Sequence, residues 1–165
     1  MSFSIKPART ADYGSILTLN EAALPHVNSI GVAELSALSK QAFALDLVWS
    51  DQTAAGFMLA LREGSDYRSL NYRWFSKHYS QFVYVDRIVV AEPFARQGLG
   101  RLLYTRLEKR ASQAAPVLAC EVNLRPANPE SLAFHKLLGF NEVGRQETEN
   151  GEKQVALMIK KIESE

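Results

Sequence analysis

The chain has 165 residues, 47% of them hydrophobic and 22% charged, with a formal net charge of +1. That length buries a core within a single domain, residues 1–165, and the near-neutral balance gives no global pull toward nucleic acid or an anionic membrane. No apolar run approaches the ~20 residues that span a bilayer, and a single cysteine, Cys120, excludes an internal disulfide and suits a reducing cytoplasm, as a buried small hydrophobe or as a reactive thiol.

The N-terminal stretch MSFSIKPART has no h-region or cleavage pattern, so no signal peptide is expected. Residues 3–8 read as a first strand. Thr10 and Asp12 are N-cap candidates for a helix to about Ala23, ended by Pro25. Residues 32–44 read as a second helix. Residues 45–63 read as two strands joined at Asp51–Gln52. The stretch GSDYRSLNYRWFSKHYS (64–80) is expected to be a long loop, and a loop of that length in a compact domain is usually functional. A strand over 82–90, a helix to about Ala114 and a strand over 117–122 follow. NPESLAFHKLLGF (128–140) carries a helix, with Asn128 as N-cap, Pro129 at N1 and Gly139 at C′. The chain closes as a hairpin with a type I′ turn at Asn150–Gly151. The order β-α-α-β-β-β-α-β-α-β-β predicts an α/β (α+β) fold, with a mixed, mostly antiparallel sheet of about seven strands and four helices.

The stretch RQGLGR (96–101) stands where the Val-rich strand hands over to an amphipathic helix carrying Leu99, Leu102, Leu103, Leu107 and Ala111 at helical spacing. Glycines allow tight turns and close approach, and a helix N-terminus offers free N–H groups and the positive end of the dipole. The loop therefore suits a phosphate. A P-loop would need Lys-Ser or Lys-Thr after its last glycine, where this chain has Arg101–Leu102. A dinucleotide fold would want a third glycine and an acidic residue after the next parallel strand.

Strand–RQGLGR–helix followed by strand–N-P-x-S-x-x-F-H-x-x-x-G-F resembles the GNAT superfamily of acyl-CoA-dependent N-acetyltransferases, over about Phe82 to Phe140. The resemblance implies acetyl-CoA as co-substrate, no metal, and a primary amine of a small metabolite, peptide or protein as acceptor. It places the coenzyme pyrophosphate on Arg96, Gln97, Gly98, Leu99, Gly100 and Arg101, the pantetheine arm on the main chain of Ile88, Val89 and Val90, and a further contact on Asn128. Ala95 departs from the family, which commonly has Arg or Gln in that slot.

Attack of a neutral amine on a thioester needs a base, an oxyanion donor and an acid for the leaving thiolate. A main-chain N–H near Val89 or Val90 would serve the oxyanion. Asp86 falls on the same strand face as Ile88 and Val90; it is a candidate base, or a carboxylate in an ion pair with an arginine. Glu121 is the other candidate base. Many relatives place a tyrosine acid seven residues beyond the asparagine; here that position is His135, read as acid, as coenzyme contact or as packing. Asn20, Glu21, His26 and Asn28, with Tyr72, Trp74 and Phe75, are candidates for the acceptor site, the aromatics being equally readable as packing. Neither nucleic acid nor membrane is expected as a partner, and a homodimer is left open. The sequence thus points to a cytoplasmic N-acetyltransferase acting by direct attack in a ternary complex, with an acyl-CoA-binding regulatory module without turnover and a nucleotide-binding phosphate loop as the alternatives.

Overall fold

In the computed structural model, residues 2–163 are described; residues 1, 164 and 165 of the expected domain lie outside them. The fold is mixed α/β, with seven strands in the order β1-β2-β3-β4-β5-β7-β6 and mostly antiparallel pairing. Among the described residues five α-helices accompany the sheet, one more than expected. The described residues form two compact units, 2–61 with 87–107, and 62–86 with 108–163.

In the first unit β1 (Phe3–Pro7) pairs antiparallel with β2 (Ala44–Ser50), which pairs antiparallel with β3 (Thr53–Arg62) through a turn where Asp51 takes a left-handed φ of 53°. Helices α1 (Tyr13–Ala22) and α2 (Val32–Gln41) bury Ile16, Leu19, Leu35 and Leu38. The second helix stops three residues before its expected end. Along α4 (Leu99–Ala111), Leu99, Leu103 and Leu107 are buried four residues apart. Leu102, expected on that face, is exposed, and Tyr104 is buried instead. Arg106 on α4 donates from Nε to Oδ2 of the buried Asp46 on β2 at 3.2 Å.

In the second unit the start of β4 (Val83–Val90) pairs parallel with β5 (Val117–Arg125), at Val83↔Leu118 and Tyr84↔Ala119. β7 (Lys153–Lys161) lies antiparallel between β5 and β6 (Asn141–Thr148). Cys120 is buried in β5. The stretch expected to be a loop contains α3 (Leu70–His78), capped by Ser69, whose side chain accepts from the Tyr72 N–H at 3.3 Å. Tyr72 and Phe75 point inward, spaced as successive turns of a helix require. The hairpin turn also differs from expectation. The residues between the strands are 149–152, and the left-handed pair is Glu149–Asn150 (φ 53° and 55°), followed by Gly151 at 86°. Three consecutive residues thus have positive φ, as the twist of the ribbon favours; the expected Asn150–Gly151 pair is among them, and the stretch starts one residue earlier. Helix α5 (Pro129–Leu137) begins as expected, with Asn128 Oδ1 accepting from the Ser131 N–H at 3.3 Å, and Gly139 beyond it takes φ 103°.

Candidate active site

In the first unit, β4 ends at Val90, and Ala91 donates its N–H to the Ala55 carbonyl at 2.8 Å. A 3-10 turn over Glu92–Phe94 follows, then Arg96 at φ 62° and Gly98 at φ 81°. The first hydrogen bond into α4 runs from the Leu102 N–H to the Gly98 carbonyl at 3.0 Å. The N–H groups of Leu99, Gly100 and Arg101 therefore precede the intrahelical ladder, and the helix dipole adds positive potential there. Arg96, Gln97, Gly98 and Arg101 are exposed, while Leu99 is buried and pins the loop to the core. The two glycines do different work: Gly98 takes the conformation that other residues avoid, and Gly100 lies inside the first helical turn.

Ile88 and Val90 are half-buried and Val89 is buried, as the alternation of an extended strand requires. Gly56 on β3 was not singled out by sequence reasoning. A Cβ there would stand 2.6 Å from the Val89 carbonyl oxygen and 3.3 Å from Val90 Cα. An isolated glycine inside a strand pattern is the available signal of such close backbone approach.

Arg87, next to Asp86 in sequence, was missed as well. It is buried, and its Nη1 donates to Asn20 Oδ1 and to the Asn28 carbonyl, each at 3.0 Å. Asn20 Nδ2 donates to the same Asn28 carbonyl at 3.0 Å, and Ser29 donates to Glu21 at 2.6 Å. Asn20 and Asn28, read as acceptor contacts, hold the α1–α2 connection; His26 stands exposed on it.

In the second unit each candidate base meets a phenol. Tyr67 donates to Asp86 Oδ1 at 2.6 Å. Tyr84, fully buried, lies 2.8 and 2.7 Å from the two oxygens of Glu121, so its single hydroxyl proton is shared between them. Burial first, then the negative charges of Glu121 and Asp86, hold the Tyr84 phenol well above the ordinary tyrosine range, so it stays protonated. Asp86 and Glu121 are both half-buried.

Tyr72 and Phe75 are 2% and 0% exposed, in an aromatic cluster with Phe82 and Tyr84 at centroid distances of 5.4–6.3 Å. Such contacts are packing, and they leave these two rings no surface for an acceptor. Trp74 is half-buried, stacked on His78 at 3.8 Å, and a Cβ at Gly144 would meet its ring at 2.8 Å. His135 is buried, edge-on to Phe134 and Phe140, with Nδ1 2.8 Å from the Ser131 carbonyl. Burial pushes its imidazole below the ordinary histidine value, against a smaller opposing pull from that carbonyl. Its surroundings therefore favour the neutral ring, which is the wrong form for an acid. Among the described residues no group of three His, Cys, Asp or Glu side chains is placed to hold a metal ion, and no helix is long and apolar enough to cross a membrane.

The architecture is that of the acetyltransferases. The ribosomal-protein-S18-alanine N-acetyltransferase from Escherichia coli superposes with a TM-score of 0.74 at 19% identity, covering 98% of this chain and 95% of that one. Arabidopsis thaliana Naa50, in complex with the bisubstrate analogue CoA-Ac-MVNAL, gives 0.74 at 14% identity over 98% and 100%. YncA from Salmonella typhimurium, with its cofactor acetyl-CoA, gives 0.71 at 18% identity over 100% and 96%. The sequence profile of the acetyltransferase (GNAT) family matches residues 18–140, and the chain belongs to that family. No curated protein matches the sequence significantly.

Proposed function

We propose that the protein transfers the acetyl group of acetyl-CoA to a primary amine of a small metabolite, peptide or protein, by direct attack in a ternary complex. The observation that carries this reading is the junction at Gly98, where three N–H groups precede the α4 ladder on an exposed, basic loop. That donor set suits a pyrophosphate, so residues 96–101 hold it, with Asn128 as a further coenzyme contact. The main chain of Ile88–Val90 takes the pantetheine arm, and an N–H near Val89 or Val90 steadies the carbonyl oxygen. Asp86 accepts the amine proton as the main base, with Glu121 as the second carboxylate. Glu21, His26 and Asn28, which are exposed, and the half-buried Trp74 are the acceptor-side residues that retain accessible surface. A peptide or protein amine is favoured by the likeness to enzymes named for such substrates. The cytoplasm is the proposed site of action.

The test has two stages. Mass spectrometry of ligands carried through native purification should find coenzyme A, and thioester consumption should follow on part of an amine panel. Retention of ATP in preference to coenzyme A would overturn the reading.

One observation favours a second reading, an acyl-CoA-binding module without turnover. His135, where many relatives place an acid tyrosine, is buried and biased toward the neutral form. Tight coenzyme binding with no turnover on any amine would select the module.

A further inference from the structure

We propose that Tyr67 is a positioning residue for Asp86, fixing the carboxylate that receives the amine proton; this rests on the acetyl-transfer reading given above. The Tyr67 hydroxyl lies 2.6 Å from Asp86 Oδ1, within the range of a hydrogen bond to a charged oxygen. A donor at that distance limits the rotation of the carboxylate about its χ angles, and a base acts only from the right place.

The position of Tyr67 is itself built. Tyr72, buried at the start of α3, donates its hydroxyl to the Arg62 carbonyl at 2.5 Å and accepts from the Ser65 N–H at 2.9 Å. Ser65 Oγ also donates to the Arg62 carbonyl, at 2.9 Å, and the Tyr67 N–H donates to the Ser65 carbonyl at 3.0 Å. One buried phenol thereby sets the turn over residues 62–65 that leads to Tyr67. The Tyr67 ring then packs on the Tyr72 ring at 5.6 Å, and Tyr72 packs on Tyr84 at 5.4 Å. Four hydrogen bonds and two ring contacts bring a half-buried phenol to the carboxylate from a segment 19 residues away in sequence. Tyr67 needs no contact with substrate or coenzyme to do this.

Tyr67→Phe keeps the ring on Tyr72 and removes only the hydroxyl. With the full chain, acetyl-CoA and whichever amine the panel identifies, kcat should fall about tenfold while KM for acetyl-CoA stays unchanged. In an Asp86→Asn background the same change should add nothing, because the group being positioned is already gone. Proton NMR gives a readout without turnover: a downfield hydroxyl proton in the wild type that disappears in Tyr67→Phe and moves in Asp86→Asn. A Tyr67→Phe enzyme with wild-type kcat overturns the role of Tyr67 alone, as does a loss that multiplies with that of Asp86→Asn. A wild type that binds coenzyme and acetylates no amine overturns the functional reading and the role of Tyr67 together.

Discussion

Gly56 lies so close beneath Val89 that a methyl group at its Cα would stand 2.6 Å from the Val89 carbonyl oxygen. Backbone atoms yield little at such a contact, so β4 must shift if any side chain is introduced on β3 here. Gly56→Ala is expected to weaken acetyl-CoA binding about tenfold, equivalent to about 1.4 kcal/mol, in calorimetric titration. Gly14→Ala is the control: a Cβ at that position meets nothing within 4 Å, and coenzyme affinity should not change.

Gly98 has open space around it but a φ of 81°, so its substitution strains the backbone rather than the packing. Gly98→Ala should cost about 1–2 kcal/mol in urea unfolding. Gly100→Val, by contrast, adds a branched side chain beside the free N–H groups and should abolish coenzyme binding in a folded protein. Unchanged affinity in folded Gly100→Val would remove the pyrophosphate from this loop.

Arg87 holds Asn20 and Asn28 from a buried position. Arg87→Met should leave those polar groups short of a donor and lower stability by about 2–3 kcal/mol. If the α1–α2 connection frames the acceptor, KM for the amine rises while KM for acetyl-CoA holds. Steady-state kinetics in both substrates distinguishes that outcome from a uniform loss of active protein.

For the two carboxylates, Asp86→Asn is expected to lower kcat/KM by ~10²-fold or more, the scale of losing a general base. Glu121→Gln should lower it less. The reverse ranking would transfer the role of base to Glu121.

His135 makes stability depend on pH with a definite sign. Its folded value is held below the unfolded one, near 6.5, so the unfolded chain binds more protons across that interval. Its share of stability is present above about pH 6.5 and is lost as pH falls through the lowered folded value. Urea midpoints should therefore drop on acidification, and His135→Phe should flatten that part of the slope. A slope unaltered by the substitution would assign the acid sensitivity to other groups. His135→Phe that retains full kcat and the wild-type pH profile would also exclude the imidazole as the acid.

Periodicity and punctuation made most elements legible: the β4 run, the Leu99–Leu103–Leu107 spacing and the Asn128-Pro129 helix start all depend on residues close in sequence. The hidden helix α3 had a signal too, Ser69 as cap with Tyr72 and Phe75 inward. Its polar composition and aromatic richness made it resemble a binding loop instead. The phenol partners of the carboxylates were illegible for a different reason. Tyr67 and Asp86 are 19 residues apart and Tyr84 and Glu121 are 37 apart, so only tertiary folding brings them together. The Arg87 clamp spans 67 and 59 residues to Asn20 and Asn28, and no local pattern announces it.

The chain has two tryptophans, Trp49 on β2 in the first compact unit and Trp74 on α3 in the second, where its indole presses on Gly144. Each unit thus carries one tryptophan. Trp49→Phe leaves tryptophan emission from α3 alone, and Trp74→Phe leaves tryptophan emission from the β1–β2–β3 ribbon alone. Recorded through the same denaturant series, the two variants report whether the halves of this enzyme fold melt as one cooperative body or in sequence.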